Sequence, residues 1–281
     1  MKKILLVSGC SFTDTHWHSD IHPDMICDWP KWPQIVADEL NMECVNLGVS
    51  GSGNERIYSV ISDYVTTPEG QTPTFVSKMH LMDRLYEFPK GEIGLVVAAW
   101  SQGHRRDWSE YRFVKRDQKK DLWTNENYDT KGDLHYHVLK SVRLQYAFQN
   151  LCKQLKLPYC QFQMISLWRA WVHVQIEKWN DPAKIEEERK DRKFWRETKD
   201  SLNKVLDDTG YRQLINKKFL GWPGDLKTDN YYGKTSWTLS DCLSLEEKCS
   251  EKDLHPNKKG QEKLAEEFLK RLHENKILQK D

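Results

Sequence analysis

Ile4-Leu5-Leu6-Val7-Ser8-Gly9-Cys10-Ser11-Phe12-Thr13 is an apolar run that breaks into a turn of small residues. A strand covered on both faces needs only about 4–8 continuous apolar residues, and parallel strands read as such runs rather than as alternating patterns. The preceding Met1-Lys2-Lys3 and the order Val7-Ser8-Gly9-Cys10 mimic a lipoprotein export signal. The stretch Ile4–Val7 is nevertheless far shorter than the roughly 7–15 apolar residues of an export segment. It therefore reads as a first buried strand, with Ser11 in the turn at its carboxyl end.

Further runs at Cys44–Leu47, Leu95–Trp100 and Tyr159–Ile165 read as strands of the same kind. Between them, helical spacing predicts helices over Trp32–Leu40, Arg56–Val65, Thr74–Phe88 and Leu134–Leu155. Strands alternating with helices give a parallel sheet covered on both sides. The expected fold class is α/β, a three-layer sandwich with a central parallel sheet of flavodoxin-like type, forming a single domain over residues 1–281. From about 168 to 248 the rhythm breaks: Lys178–Lys204 is charge-dense and helical in pattern, and Gly221–Trp237 is loop-like. This stretch reads as an insertion or lid. From Asn257 to Ile277 an amphipathic helix returns, with Leu264, Phe268, Leu269 and Leu272 on one stripe.

Composition narrows the function classes. Of 281 residues, 30% are charged but the formal net charge is only +1, so no global field draws the chain to nucleic acid or to an acidic membrane surface. With a mean hydropathy of −0.79, no run approaches the roughly 18 apolar residues needed to cross a bilayer. The seven cysteines are odd in number, scattered and never in CxxC spacing, which fits reduced thiols in a cytoplasm better than a disulfide framework or a thiolate zinc site. His16, His18 and His22 cluster after the first turn, but their spacing matches no common metal motif, and no metal or cofactor is expected.

In an open parallel sheet, ligands bind at the carboxyl ends of the strands, which is where Ser11 lies. A serine hydroxyl is a poor nucleophile near neutral pH unless a base takes its proton. The candidate base is His255, in Lys252-Asp253-Leu254-His255-Pro256-Asn257 just before the last helix, with Asp253 as the carboxylate that would orient it. Glu251 and a backbone carbonyl are alternative orienting groups. The glycine loop Asn46-Leu47-Gly48-Val49-Ser50-Gly51-Ser52-Gly53-Asn54 follows the second strand and would let backbone N–H groups approach a developing oxyanion. It lacks both common nucleotide-binding glycine patterns.

GCSFT, NLGVSGSGN and DLHPNKKG occur in the order of three of the four conserved blocks of SGNH/GDSL hydrolases, and on these residues the chain resembles that family, in particular its divergent members in tailed phages and environmental genomes. The likeness covers about forty residues of the sheet scaffold. It implies Ser11 as nucleophile and, through its N–H, as an oxyanion donor; Gly51, or less favourably Gly48, as a second donor; and His255 as base. Three departures accompany it. Gly9-Cys10-Ser11 replaces Gly-Asp-Ser, Trp100-Ser101-Gln102-Gly103 replaces Gly-x-Asn-Asp, and Asp253-x-His255-Pro256 shortens Asp-x-x-His-Pro. The third oxyanion donor then falls to Ser101 or Gln102.

Asn54 is a candidate substrate contact or a helix cap, and Arg105, with Arg106, a candidate clamp for an anionic substrate or a solvated pair. Cys10 is a less favoured nucleophile, because the family turn aims the next side chain into the site. Trp17, Trp29, Trp32 and Trp108 are candidates for the cleft mouth. The expected activity is that of a serine esterase or acylhydrolase acting on a small-molecule or carbohydrate ester. The alternatives are an acyltransferase and a degenerate scaffold that only binds a glycan or a protein.

Overall fold

The computed structural model describes residues 2–79, 82–103, 105–115, 118–126, 134–165, 204, 206–221 and 238–278. Along the chain lie β1 (Ile4–Ser8), α1 (Trp32–Glu39), β2 (Glu43–Asn46), α2 (Asn54–Thr66), β3 (Thr74–Met79), β4 (Met82–Glu87), β5 (Ile93–Trp100), β6 (Arg106–Lys115) and β7 (Gln118–Glu126). They are followed by α3 (Leu134–Gln154), β8 (Tyr159–Gln163), α4 (Tyr211–Leu214), β9 (Phe219–Leu220) and α5 (Lys258–Glu274).

Five strands form the central sheet in the order β2-β1-β5-β8-β9, and every neighbouring pair is parallel. Counted among themselves, these strands run 2-1-3-4-5, the flavodoxin-like order. The protein is an α/β three-layer sandwich. Alternate residues of β1 divide between its layers. Ile4 and Leu6 join the core under α2 and α3, with Ile57, Val60, Ile61 and Phe148. Leu5 and Val7 join the core under α1 and α5, with Trp32, Val36, Leu264 and Phe268. A two-residue side-chain period with both faces apolar is what the unbroken run Ile4–Val7 encodes.

The strand order reverses direction between β1 and β5, and the crevice at such a switch point is where an open α/β sheet holds its ligand. Ser11 emerges there. Gly9 shapes the turn, since a Cβ on it would collide with the Thr13 side chain and come within 3.2 Å of the Ala99 Cβ.

The helix expected over Thr74–Phe88 is instead the antiparallel hairpin β3–β4, with Phe75 opposite Tyr86 and Val76 opposite Leu85. Its residues pair backbone to backbone, and β3 also pairs in parallel with β7 at Val76–Leu122 and Ser77–Trp123. Those partners lie 46 residues away, outside any local window. The hairpin β6–β7 completes a second sheet in the order β4-β3-β7-β6.

Within the stretch read as an insertion, residues 204, 206–221 and 238–248 are described. β9 lies at the sheet edge beside β8, and Leu239 packs in the core under α1 and α5. The charge-dense 178–203 and the loop-like 222–237 lie outside the described residues. Among the described residues, no helix is long and apolar enough to cross a membrane.

Candidate active site

His255 is delivered to the carboxyl edge of the sheet by the segment leading into α5. The N–H of Cys249 donates to the His255 carbonyl at 2.9 Å and that of Ser250 to the Asp253 carbonyl at 3.0 Å, closing a tight loop between them. Asn257 caps α5, its side chain accepting from the Gly260 N–H at 3.0 Å, while its amide donates to the carbonyls of Glu246 and Lys248 at 2.8 Å each. A capping asparagine so tied at both ends holds the preceding turn as well as the helix.

This places His255 Nε2 2.8 Å from Ser11 Oγ and its Nδ1 2.7 Å from Asp253 Oδ1. An ionised carboxylate can only accept, so Nδ1 carries the proton. In the neutral ring, Nε2 is then an acceptor and the Ser11 hydroxyl donates to it. Asp253 is 4% exposed. Burial alone would raise its carboxyl, but hydrogen bonds from His255 and Ser19 outweigh it and hold the group down at about 2. The His255 ring is packed by Trp17, centroids 4.7 Å apart, and by Phe12 at 5.1 Å.

The glycine loop is fastened to the serine turn by Asp14. One buried carboxylate oxygen accepts from the Ser50 N–H at 2.8 Å and from the Ser50 hydroxyl at 2.7 Å, and the other accepts from the His16 N–H at 2.8 Å. The next residue, Gly51, has φ of 78°, a left-handed conformation that side chains disfavour. Among the described residues, the N–H groups of Ser11 and Gly51 have no acceptor, whereas the Gly48 N–H is taken by Asn46 Oδ1 at 2.9 Å. One backbone donor thus remains open on each of the two turns that Asp14 joins.

The other candidate residues are bonded to their neighbours. Asn54 Oδ1 accepts from the Ser101 N–H at 2.8 Å, and its amide donates to the Ser141 hydroxyl at 3.2 Å. Asn54 and Ser101 are both buried and joined to each other, and the Ser101 hydroxyl is also buried. Gln102 Oε1 accepts from Arg105 Nε at 3.1 Å, and the Arg105 guanidinium also donates to the Ser52 carbonyl at 3.2 Å, so Arg105 braces the glycine loop. Asp107 caps α2, accepting from the N–H groups of Gly53 at 2.8 Å and Arg56 at 2.9 Å. Cys10 is buried in the core under α1 and α5. Trp32 is a core residue as well.

Nothing in the local sequence marked Asp14, Ser19 or Ser250 as site residues; of these, only Asp14 lies close to Ser11 in sequence. Among the described residues, no three His, Cys, Asp or Glu side chains converge on a metal position. His22 Nε2 instead meets the Ser250 hydroxyl at 2.8 Å.

A cavity of about 370 Å³ opens beside the β2 edge, with His16, Trp29, Lys31, Asn46, Arg56 and Phe88 in its wall. The Lys31 amine donates to the Cys27 carbonyl at 2.7 Å and lies over the Trp29 ring at 4.8 Å, and its burial pushes its pKa down. No triad residue lines this cavity, although it shares Gly48 and Val49 with the glycine loop.

Set against known proteins, the chain matches no family model and no curated protein.

Proposed function

We propose that this protein is a serine esterase or acylhydrolase of SGNH/GDSL type, working in the cytoplasm through an acyl-Ser11 intermediate. The observation that carries the reading is the chain of hydrogen bonds Ser11–His255–Asp253, at 2.8 and 2.7 Å. These distances are within the reach that proton transfer requires. Ser11 Oγ attacks the ester carbonyl carbon while its proton passes to His255 Nε2. The carbonyl oxygen becomes an oxyanion facing the open N–H groups of Ser11 and Gly51. His255 then returns the proton to the departing alkoxide, leaving an acyl-enzyme and a free alcohol. Water, deprotonated by His255, attacks the acyl carbon and releases the carboxylic acid and Ser11.

Asp253 keeps Nδ1 protonated and favours the imidazolium that forms at each step. The chemistry needs no metal or cofactor. A small-molecule ester or an O-acetyl group on a carbohydrate is the substrate class in view. A scaffold that binds without turnover is the rival reading, and one observation favours it. Ser101, a candidate for the third oxyanion donor, gives its N–H to Asn54 and buries its hydroxyl. Loss of one such donor costs about 2.7–4 kcal/mol of transition-state stabilisation, which leaves a slow enzyme rather than none.

The test is hydrolysis of a panel of acetyl and short-acyl esters, including acetylated sugars, by wild type and Ser11→Ala. Turnover in wild type that disappears in a folded Ser11→Ala supports the reading. Equal rates in the two proteins would remove Ser11 from the chemistry.

A further inference from the structure

The carboxylate of Asp253 is gripped on both oxygens. Oδ1 accepts from His255, through its ring Nδ1 at 2.7 Å and its backbone N–H at 3.2 Å, while Oδ2 accepts from the Ser19 hydroxyl. Ser19 is itself buried, and its oxygen accepts from the His22 N–H at 2.9 Å. The Asp253 N–H donates to the Ser250 hydroxyl at 3.0 Å, and the Lys252 N–H donates to the same oxygen at 3.2 Å. A hydroxyl has two lone pairs and one proton. With both lone pairs of Ser250 taken, its proton points to His22 Nε2, 2.8 Å away. The result is a closed ring of hydrogen bonds running His22, Ser19, Asp253, Ser250 and back to His22.

This ring ties the segment just after the nucleophile turn to the acid of the triad, 234 residues further along the chain. It also bears on the shortened spacing Asp253-Leu254-His255. With one residue fewer between acid and base, the local turn alone has less freedom to aim the carboxylate, and the second oxygen needs an outside partner. We infer that Ser19 is a positioning residue: by holding Oδ2 it sets the plane of the Asp253 carboxylate so that Oδ1 faces His255 Nδ1. The inference rests on the triad reading above and extends it to a residue that touches neither substrate nor Ser11.

A Ser19 that only stabilised the fold would leave the reactivity of folded protein unchanged. The rate of fluorophosphonate labelling of Ser11 is therefore measured in wild type, Ser19→Ala, Ser19→Thr, Asp253→Ala and the double variant Ser19→Ala/Asp253→Ala. Each protein is first shown to be folded by circular dichroism. Loss of a hydrogen bond to a charged group predicts labelling roughly tenfold slower in Ser19→Ala. Ser19→Thr, which keeps the hydroxyl, should recover most of the rate. The double variant should be no slower than Asp253→Ala, because Ser19 acts through that carboxylate. If Ser19→Ala does not fold, Ser19→Cys weakens the donor at nearly constant volume and is read the same way. Wild-type labelling in Ser19→Ala, or a further slowing in the double variant, overturns the inference.

A second readout separates this inference from the hydrolase reading. The far-downfield proton resonance of His255 Nδ1–H reports the bond to Asp253 directly. If wild type shows this resonance but is not labelled, and Ser19→Ala loses the resonance, the hydrolase reading fails and the positioning role stands. If the resonance is unchanged in Ser19→Ala, the positioning role fails whatever the labelling shows.

Discussion

Asp253 Oδ1 takes two hydrogen bonds from one residue, the backbone N–H of His255 at 3.2 Å and the ring Nδ1 of His255 at 2.7 Å. The two residues are separated only by Leu254, and this local closure allows an Asp-x-His sequence to present an acid–base pair. Leu254 is partly exposed, so the intervening side chain makes no demand on the core and the turn is free to close.

The two partners should not matter equally. Removing the imidazole removes proton transfer, whereas removing the carboxylate charge loosens the orientation and the electrostatic support of a base that is still present. His255→Ala should therefore reduce kcat further than Asp253→Asn, by roughly tenfold to a hundredfold. Steady-state hydrolysis of the best acetyl ester, corrected for folded fraction, measures the ratio. Equal losses would mean that Asp253 is needed for more than orientation.

The depressed Asp253 carboxyl makes an acid-stability prediction. Its folded value of about 2 lies below the ordinary 3.8, so the unfolded chain binds this proton more tightly than the folded one. The ionised group then contributes stability that is fully present above about pH 4 and is lost as the pH falls toward about 2. The shift corresponds to about 2 kcal/mol. Urea unfolding of wild type and Asp253→Asn should show a gap of that order at pH 7 that narrows at pH 3. A gap of constant size would place the contribution elsewhere.

Asp14 offers a test of how the glycine loop is held. Asp14→Ala strips the acceptor from the N–H groups of Ser50 and His16 together. Leaving such groups without an acceptor costs about 1–3 kcal/mol each where they stay buried. A loss of about 2 kcal/mol in urea unfolding is expected, with kcat falling by roughly tenfold as the Gly51 N–H loses its fixed direction. Stability loss with unchanged kcat would show that the loop keeps its shape without this clamp.

The sandwich was legible because its strands are buried on both faces. Ile4–Val7 and Leu95–Trp100 are short unbroken apolar runs, and the helices between them carry apolar stripes at helical spacing. The second sheet was not, since Phe75, Val76, Met79, Met82 and Leu85 satisfy a helical period as well as a hairpin. What decides between the two is pairing with β7, a contact that sequence neighbours do not report. The hydrogen-bonded trio Ser11, His255 and Asp253 was readable because each sits in a short motif next to a strand or helix end. Ser19 and Ser250 were not, because an ordinary serine in a polar loop becomes a site residue only through contact with a distant turn. Asn54 reads from sequence as a substrate contact or a helix cap, and Arg105 as an anion clamp or a solvated residue; in the structure Asn54 bonds to Ser101 and Ser141, and Arg105 to Gln102 and the Ser52 carbonyl.

The proposed function requires Ser11 to be an activated nucleophile. Fluorophosphonate labelling of wild type, Ser11→Ala and Cys10→Ala, read by intact mass with the labelled site mapped, tests it without knowledge of the substrate. One adduct on Ser11 is expected in wild type and in Cys10→Ala, and none in Ser11→Ala. A folded wild type that takes no label, or an adduct that persists in Ser11→Ala, would contradict it.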